Sequence, residues 1–577
     1  MDKSDILIRG GTVADGTGGP LRDVDVALRQ GRIVAIGKNL GSAKEEIDAR
    51  GKLVTPGFVD IHTHYDGQAV WDSRLQPSSW HGVTTAVMGN CGVGFAPVRK
   101  ADRERLIELM EGVEDIPGAA LHEGLSWDWE SFGEYLDALD AGSRDIDICA
   151  QLPHGALRVF VMGERGANLE AATEADLGEM RRLAKEAANA GAIGFSTSRT
   201  LNHRTVKGDP TPSLRATEAE LIAIANGLKD AGAGVLEFIS DWDTPDLETE
   251  FGMVRRLVAE SGRPLSFSLG QRHSEPDNWR KLLHLTDKAV SDGLNIRAQV
   301  APRPVGVLLG LQGSRNPFST LAAYKQIAEK PFEERVAIMR QQEFRARLLD
   351  EAKELPEGPA AHRRLAAFDR MFALGDPPDY EPPLSDSIAA CASRAGRSAA
   401  ELAYDILLEQ DGRSFILAPF ANYAHGNLDV CREMLDSPHT LVGLGDGGAH
   451  VSIISDASFS TYLLAHWGRD RPVGRFPIER LVRKHTMDNA RAVGLLDRAV
   501  LAPGYKADVN VIDFERLRVE RPYMKADLPA GGNRLLQPAS GYTATIVSGR
   551  VTYREGEATE ELPGRLVRGP QATPLAR

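Results

Sequence analysis

The feature that most constrains the fold is a series of eight short apolar segments between residues 57 and 446. Segments with helical periodicity lie between them, so strand and helix alternate along most of the chain. This alternation is typical of parallel α/β folds, and eight units are the number that closes a (β/α)8 barrel of the TIM type. The predicted strands are 57–64, 83–91, 146–152, 192–198, 234–240, 264–269, 295–300 and 440–446.

The two ends of the chain have a different pattern, in which short alternating strands and glycine turns replace the strand–helix units. Hairpin patterns occur at 24–37 near one end and at 545–553 near the other. Neither end carries enough apolar surface to be stable alone, so we expect both to pair in one small β-sandwich. The predicted domains are a sandwich of residues 1–55 plus 495–577 and a barrel of residues 56–494.

The connection after the seventh predicted strand, about residues 301–439, is far too long for a simple loop. It contains a charged helical run at 332–353 and a proline-rich break at 376–383. We predict an inserted subdomain or lid over the carboxyl-terminal strand ends, where barrel enzymes place their chemistry. A second covering segment is predicted at 100–130.

Two histidines end the first predicted strand. His62 and His64 are two residues apart, so on a strand their side chains point to the same face and can bind one metal. The alternative is a pair of half-buried strand histidines without a ligand. Asp446 ends the eighth predicted strand in a glycine-rich stretch, where it suits a metal ligand that also acts as general base and acid. The alternative for Asp446 is a carboxylate that caps the glycine turn.

Charge and cysteine content exclude several classes of protein. The 81 acidic and 68 basic residues give a net charge of −13, which argues against a nucleic-acid or anionic-membrane surface. No run is long and apolar enough to span a bilayer, and the first residues lead into an alternating strand rather than a signal peptide. The four cysteines are far apart and form no Cys-x-x-Cys pair, so we expect a reduced, cytoplasmic protein.

Several spaced motifs resemble those of the amidohydrolase superfamily, and within it those of the N-acyl-D-amino-acid deacylases, or D-aminoacylases. The superfamily resemblance rests on Pro56-Gly57-Phe58-Val59-Asp60-Ile61-His62-Thr63-His64, on Asp446 and on the β-rich chain ends. The deacylase resemblance rests on Gly82-Val83-Thr84-Thr85 leading to Gly89-Asn90-Cys91-Gly92, on Pro153-His154-Gly155-Ala156-Leu157-Arg158, on Gly191-Ala192-Ile193-Gly194-Phe195-Ser196-Thr197 and on Pro503-Gly504-Tyr505-Lys506-Ala507-Asp508.

The resemblance implies a zinc site of one or two ions, with other divalent metals as alternatives. Its strand-two cysteine matches Cys91, for which the alternative is an inert buried thiol. Its histidines on strands five and six are replaced by Glu237 and Leu269, and its substrate-binding lysine on strand six falls at Gln271. We take Glu237 as a ligand, against a salt bridge to an arginine. Residues 191–199 contain no lysine, so we predict no metal-bridging carboxylated lysine.

Substrate-binding residues are expected near the strand ends. A guanidinium fork suits a substrate carboxylate, although each arginine alone could be structural. The candidate substrate-binding residues are Arg199, Gln271, Arg272, Arg303, His154 and His450.

The function that follows is metal-dependent hydrolysis of the amide bond of N-acyl amino acids, with the D configuration favoured, to a carboxylic acid and an amino acid. One alternative is hydrolysis of another small amide, a cyclic amide, a peptide-like natural product or an ester. A second alternative is a barrel that binds ligand without catalysis. The expected partner is a small amide substrate, with no nucleic acid and no membrane, and a homo-oligomer is left open.

Overall fold

A parallel barrel occupies the middle of the chain in the computed structural model, which describes residues 3–242, 246–357 and 360–575. Parts of the predicted sandwich and lid, at residues 1–2, 358–359 and 576–577, lie outside the described residues. The eight barrel strands follow one another in the order β6, β7, β8, β9, β10, β11, β12, β16, and every neighbouring pair is parallel. An isolated parallel bridge between Thr63 and Gly447 joins the first strand's extension to the last. The predicted fold class is therefore confirmed.

The strands are β1 (Ser4–Val13), β2 (Arg22–Arg29), β3 (Arg32–Gly37), β4 (Ala43–Asp48), β5 (Leu53–Pro56), β6 (Phe58–Asp60), β7 (Val83–Met88), β8 (Asp147–Pro153), β9 (Gly194–Arg199), β10 (Val235–Ser240), β11 (Leu265–Ser268), β12 (Ile296–Val300), β13 (Val305–Gly310), β14 (Phe372–Ala373), β15 (Phe415–Ala421), β16 (Thr440–Val442), β17 (Val509–Ile512), β18 (Arg518–Val519), β19 (Tyr523–Ala526), β20 (Asn533–Leu536), β21 (Ala539–Ser540), β22 (Tyr542–Val547), β23 (Arg550–Arg554) and β24 (Glu557–Ala558).

The α-helices are α1 (Gln68–Trp71), α2 (Arg103–Glu114), α3 (Gly118–Gly124), α4 (Phe132–Asp140), α5 (His154–Met162), α6 (Glu164–Ala167), α7 (Glu174–Ala190), α8 (Glu218–Ala231), α9 (Leu247–Ser261), α10 (Asn278–Ser291), α11 (Ala322–Lys325), α12 (Phe332–Met339), α13 (Gln342–Glu351), α14 (Ala360–Leu365), α15 (Ile388–Arg394), α16 (Ala399–Gly412), α17 (Asp429–Asp436), α18 (Phe459–Ala465), α19 (Ile478–Arg483) and α20 (Asn489–Ala492).

Burial explains why the barrel strands are continuous apolar runs rather than alternating ones. Every residue of β7 and of β8 is buried, because the barrel interior covers one face and the outer helices cover the other. The helices carry local start signals as well. Thr173 caps α7 in a capping box with Asp176, and Gly191 ends that helix in the left-handed conformation. Among the described residues, no helix has the length and apolar character that a membrane span needs.

Strands from both ends of the chain share one nine-stranded sheet. Its order is β24, β23, β22, β17, β5, β1, β2, β3, with β4 paired to β1. The two ends meet where β17 runs antiparallel to β5, with Val511 opposite Val54. Both ends contribute to one apolar core, which includes Ile8, Val26, Leu28, Val54, Val509, Val511 and Ile546. The division into two domains stays a proposal that this shared sheet supports.

Deletion of residues 540–577 is expected to cause aggregation. The deletion removes β22, β23 and β24, so β17 becomes an unpaired edge and the apolar core opens to water. Size-exclusion chromatography and light scattering measure the outcome, and deletion of residues 572–577 alone is the control. A soluble 540–577 deletion with an unchanged melting temperature would contradict this expectation.

The segment after β12 forms a unit with its own core. Strands β13, β15 and β14 make a three-stranded antiparallel sheet, on which several helices pack. The core of the unit includes Leu309, Phe318, Tyr324, Met339, Leu348, Tyr404, Leu407 and Ile416. Leu308 N–H donates to the Ile453 carbonyl and Asn422 N–H donates to the Gln271 carbonyl. The segment thus contacts chain that follows β16 and β11, on the side of the carboxyl-terminal strand ends, and its role as a lid stays a proposal.

Candidate metal centre

His62 and His64 lie at the centre of the candidate site, just beyond the end of the first barrel strand. Strand β6 ends at Asp60, so the predicted strand 57–64 is too long at its carboxyl-terminal end. The two imidazoles nevertheless converge, with ring centroids 5.5 Å apart, and each is about 1% exposed. Backbone bonds hold this extension, because the N–H of His64 donates to Gly447 and the N–H of Asp446 donates to His62.

A separate neighbour orients each imidazole. Gln299 places its Oε1 2.9 Å from Nδ1 of His62, while its own amide nitrogen donates to Ser266. Nδ1 of His62 therefore carries the proton, and Nε2 presents a lone pair to the site. Glu114 places Oε1 3.4 Å from Nδ1 of His64, which leaves Nε2 of His64 toward Asp446. Both imidazoles thus have the outer-shell partners that metal-binding histidines require.

Cys91 completes a group of three donors. Its Sγ lies 3.4 Å from Nε2 of His62, and one ligand atom from each of Cys91, His62 and His64 lies within 4.8 Å of the others. The Cys91 side chain is buried, and the residue lies three positions beyond the end of β7. Two imidazoles and a thiolate are ligand types that Zn2+ prefers.

Asp446 follows β16, the last barrel strand, and lies close to the two histidines that follow the first. Its Oδ1 is 3.3 Å from Nε2 of His62 and 3.7 Å from Nε2 of His64. Burial raises the pKa of Asp446, but the neighbouring imidazoles, His64 first, outweigh burial and hold the pKa well below the ordinary value. The carboxylate is therefore ionised and available to a cation. Gly445 fits because a side chain there would lie 2.6 Å from an Asp60 oxygen.

Glu237 approaches Cys91 from the fifth barrel strand, β10. Its Oε2 accepts the Cys91 backbone N–H at 3.0 Å, and its Oε1 has no hydrogen-bond partner within the described residues. Burial raises the pKa of Glu237 to about 8, and the nearby acids Asp446 and Glu114 add to that increase. A buried carboxylate oxygen without a partner, on a side chain that is bonded to the Cys91 backbone, fits a site that receives a cation.

The charge balance of the site points the same way. Burial and then the surrounding carboxylates raise the pKa of the Cys91 thiol well above its ordinary value. Burial lowers the pKa of His62 to about 4, so this imidazole is neutral near pH 7. For His64, burial lowers the pKa, but the carboxylates of Glu114 and Asp446 outweigh burial and raise it to about 9. The surrounding carboxylates thus raise the pKa of both Cys91 and His64, as expected where buried acidic groups are in excess, and the donor set fits a divalent metal.

Four residues at or near the candidate ligands have a strained backbone. Cys91, Leu444, Asp446 and His450 all have positive φ, at 55°, 62°, 46° and 47°. Residues other than glycine rarely adopt this conformation, and such residues cluster where a site demands a specific side-chain direction.

Most of the predicted substrate-binding side chains are occupied by partners within the protein. His154 uses both ring nitrogens, on Thr197 at 2.7 Å and on Glu220 at 2.8 Å, so neither nitrogen is free for a substrate. Arg199 pairs with Glu250 at 2.7 Å. These contacts are the reason why we leave His154 and Arg199 out of the proposed substrate site.

Gln271 and Arg303 are also engaged. Gln271 donates to the Pro276 carbonyl and accepts from the Ala424 N–H, which ties the end of β11 to the inserted unit. Arg303 is buried, bonds to Asp456 at 3.1 Å and stacks on the Tyr380 ring. Both therefore hold the walls of the site, and we leave them out of the proposed substrate contacts.

Arg272 and His450 differ from these four. The guanidinium of Arg272, half-buried after β11, makes no hydrogen bond or ion pair with the part of the chain that the structure describes. His450 lies 3.6 Å from Glu114 Oε2 and is about a quarter exposed. Arg272 is thus the one predicted arginine whose guanidinium makes no hydrogen bond or ion pair at all among the described residues, whereas Arg303 is paired through Nη2 and has no partner there at Nε and Nη1.

Glu114 and Gln299, which contact the candidate ligands, were not predicted from the sequence, and neither was His203, whose Nδ1 lies 2.9 Å from the hydroxyl of Ser198 on β9. Glu114 had a signal, because it shares one helix face with the buried residues Ile107 and Met110 of α2, and an acid on an apolar face needs a partner. Gln299 and His203 had no signal of this kind, since one lies within a strand and the other within a loop.

Comparison with known proteins places these observations in a family. A family model described as "Amidohydrolase family" matches residues 45–553. The D-aminoacylase of Alcaligenes xylosoxydans xylosoxydans is 28% identical over 568 residues, which cover 98% of this chain and 97% of that protein. The N-acyl-D-aspartate deacylase of the same organism is 37% identical over 196 residues, 34% of this chain and 36% of that protein.

Solved structures show the same fold. A crystal structure of D-aminoacylase has a TM-score of 0.64 at 24% identity, with 98% of this chain and all of that chain covered. The N-acyl-D-glutamate deacylase of Bordetella bronchiseptica, solved with zinc and a phosphonate mimic of the tetrahedral intermediate, has a TM-score of 0.63 at 23% identity, with the same coverage.

Proposed function

The chain belongs to the amidohydrolase family, and on that premise we propose that it hydrolyses the amide bond of N-acyl amino acids, with the D configuration favoured. The products are a carboxylic acid and a free amino acid. The observation that carries the proposal is the convergence of His62, His64 and Cys91 beside the ionised carboxylate of Asp446. Similarity along the whole length of a D-aminoacylase supports this substrate class.

We propose that His62, His64, Cys91 and Asp446 hold the metal, with Glu237 as a further carboxylate ligand, and that the metal is zinc. The nitrogen and sulfur donors support zinc over magnesium or calcium, which prefer oxygen ligands. A divalent cation at such a site supplies Lewis acidity, which polarises the amide carbonyl and lowers the pKa of water.

The chain's own residues then perform the proton transfers. Asp446, ionised and 3.3 Å from His62, accepts a proton from the attacking water and returns it to the nitrogen as the C–N bond breaks. Gln299 and Glu114 keep the two imidazoles oriented throughout, because each contacts the ring nitrogen that faces away from Asp446.

The cysteines are free thiols, which supports the proposal that the enzyme acts in the cytoplasm.

Arg272 is the residue that we propose for the substrate carboxylate. Its guanidinium is free among the described residues and follows β11, on the same side of the barrel as the metal donors. A free guanidinium fork matches a carboxylate with two parallel hydrogen bonds.

Arg272→Ala is expected to raise KM about 10–100-fold with little change in kcat, because a hydrogen bond to a charged group contributes about 1.5–3 kcal/mol. Steady-state kinetics measure this, and Arg370→Ala, which removes a neighbouring guanidinium that contacts His273, is the control. The same substrate with its carboxylate converted to an amide should show no further loss in the Arg272→Ala enzyme. A further loss would place the carboxylate elsewhere.

The proposal is tested by a matched panel of N-acyl-D- and N-acyl-L-amino acids, assayed with zinc-loaded protein and with metal-free protein. Release of free amino acid from the D series, dependent on metal, is expected. Hydrolysis confined to cyclic amides or esters would favour the first alternative, which the exchange of two family histidines for Glu237 and Leu269 motivates. A folded, metal-free protein that hydrolyses none of these compounds would favour a binding role.

A further inference from the structure

The loop between β9 and α8 carries a further imidazole, that of His203, which is held at the end of β9. Nδ1 of His203 lies 2.9 Å from the hydroxyl of Ser198, a buried residue of β9. Ser198 is opposite Ile239 of β10, two residues beyond Glu237 on the same strand. A side chain on Gly92 would lie 3.1 Å from the Ser198 nitrogen. His203 is therefore anchored at the carboxyl-terminal rim, next to the chain that carries Cys91.

The electrostatic neighbours of His203 belong to the metal centre. The pKa of His203 is lowered to about 3 by burial first and then by His450 and His64, with Asp446 acting in the opposite direction. The imidazole is thus neutral and carries one N–H. Ser198 is the partner of Nδ1, and within the described residues Nε2 makes no hydrogen bond.

The loop is fixed in place by the second covering segment. The N–H of Val206 donates to the Glu108 carbonyl at 3.0 Å, and Lys207 forms an ion pair with the Glu108 side chain. Glu108 belongs to α2, the helix that also places Glu114 beside His64. One helix therefore positions both the loop of His203 and the partner of His64.

The direction of the N–H follows from these surroundings. The Ser198 hydroxyl can donate to Nδ1, which places the single proton of the neutral ring on Nε2. A neutral imidazole with a fixed N–H is a hydrogen-bond donor that does not lose its proton during a reaction.

We propose that His203 is a catalytic residue of the reaction proposed above, on which this inference rests, and that its Nε2–H donates to the acyl carbonyl oxygen. When the water oxygen bonds to the carbonyl carbon, the π electrons of the C=O bond move to the carbonyl oxygen. The hydrogen bond from His203 strengthens as this negative charge develops. Asp446 carries the water proton to the nitrogen as the C–N bond breaks, and His203 keeps its own proton throughout.

His203→Gln and His203→Ala in the zinc-loaded enzyme test the role. Loss of one such donor is expected to lower kcat about 10²–10³-fold with little change in KM. Affinity for a phosphonate analogue of the tetrahedral intermediate should fall by a similar factor. Asn202→Ala, in the same loop, is the control and should keep near-normal kcat. A His203 variant with unchanged kcat would overturn the proposal. So would a variant that raises KM by the same factor by which it weakens phosphonate binding.

A second measurement separates this inference from the proposed function. 15N spectra of the full-length protein labelled at histidine, with His203→Gln to assign the signal, report the tautomer directly. We expect a neutral ring protonated at Nε2, and the signal should shift when the phosphonate is added. Protonation at Nδ1 would overturn the proposal even if the enzyme hydrolyses N-acyl amino acids. Conversely, the protein could fail to hydrolyse N-acyl amino acids and still show the Nε2–H tautomer and the 15N shift on phosphonate binding. That result would contradict the proposed substrate and support His203 as an oxyanion donor.

Discussion

Asp446→Asn is expected to lower turnover by about 10²–10⁴-fold beyond any loss of metal, because proton transfer by a positioned group contributes that much. The change keeps the shape of the side chain and removes its charge and its basic oxygen. A neutral amide is also a poorer zinc ligand than a carboxylate, so metal affinity should fall at the same time. Turnover and metal content are measured together at saturating zinc, which separates the two losses.

Asp115→Asn is the matched control, because Asp115 is a neighbouring carboxylate that interacts with His450 and Ser452 rather than with His62 or His64. It should retain turnover within about tenfold of the wild-type enzyme. Asparagine adopts the left-handed backbone conformation of residue 446 about as readily as aspartate does. If Asp446 merely caps a glycine turn, Asp446→Asn would therefore keep normal turnover and metal content, and the mechanism would lose its general base.

His62→Ala is expected to abolish tight metal binding and with it the activity. The Nε2 atom of His62 is the donor that contacts both Cys91, at 3.4 Å, and Asp446, at 3.3 Å. Loss of the His62 imidazole removes the one nitrogen that contacts both the Cys91 thiol and the Asp446 carboxylate. Since loss of an outer-shell partner alone costs about 10–100-fold in metal affinity, loss of the ligand should cost more than about 100-fold.

Gln299→Ala provides the graded comparison, because it removes the hydrogen bond to His62 and keeps the imidazole. Its metal affinity should fall by about 10–100-fold, between the wild-type protein and His62→Ala. Competition with a zinc chelator measures all three affinities. Equal affinities in the three proteins would place the metal elsewhere, and the melting temperatures of the metal-free variants show whether each one still folds.

The repeating part of the fold could be predicted from the sequence. The eight barrel strands occur where apolar runs alternate with helical segments, because strands buried on both faces need such runs. The prediction failed at the carboxyl-terminal ends of the first, second and eighth strands. These strands stop at Asp60, Met88 and Val442 rather than at residues 64, 91 and 446. Backbone bonds from His62 and His64 to the chain after β16 replace the end of the first strand, and such bonds depend on closure of the barrel.

The candidate site could be predicted only in part. His62, His64, Cys91, Glu237 and Asp446 were predicted from strand ends and motifs, and the structure brings them together. Glu114 and His203 come from a covering helix and a loop, and their positions depend on contacts such as that of Val206 with Glu108. The partners of His154 and Arg199 are also distant in sequence, so the strand pattern alone could not show that these side chains were already engaged.

The dependence of hydrolysis on bound zinc decides whether the barrel is a metal-dependent enzyme. Metal-free protein is titrated with zinc while bound zinc and the release of amino acid from an N-acyl-D-amino acid are followed in the same samples. We predict no activity without metal, a rise in activity with bound zinc up to saturation, and no such rise in His62→Ala. Full hydrolytic activity in the metal-free protein, or an equal rise in His62→Ala, would contradict the proposed metal site.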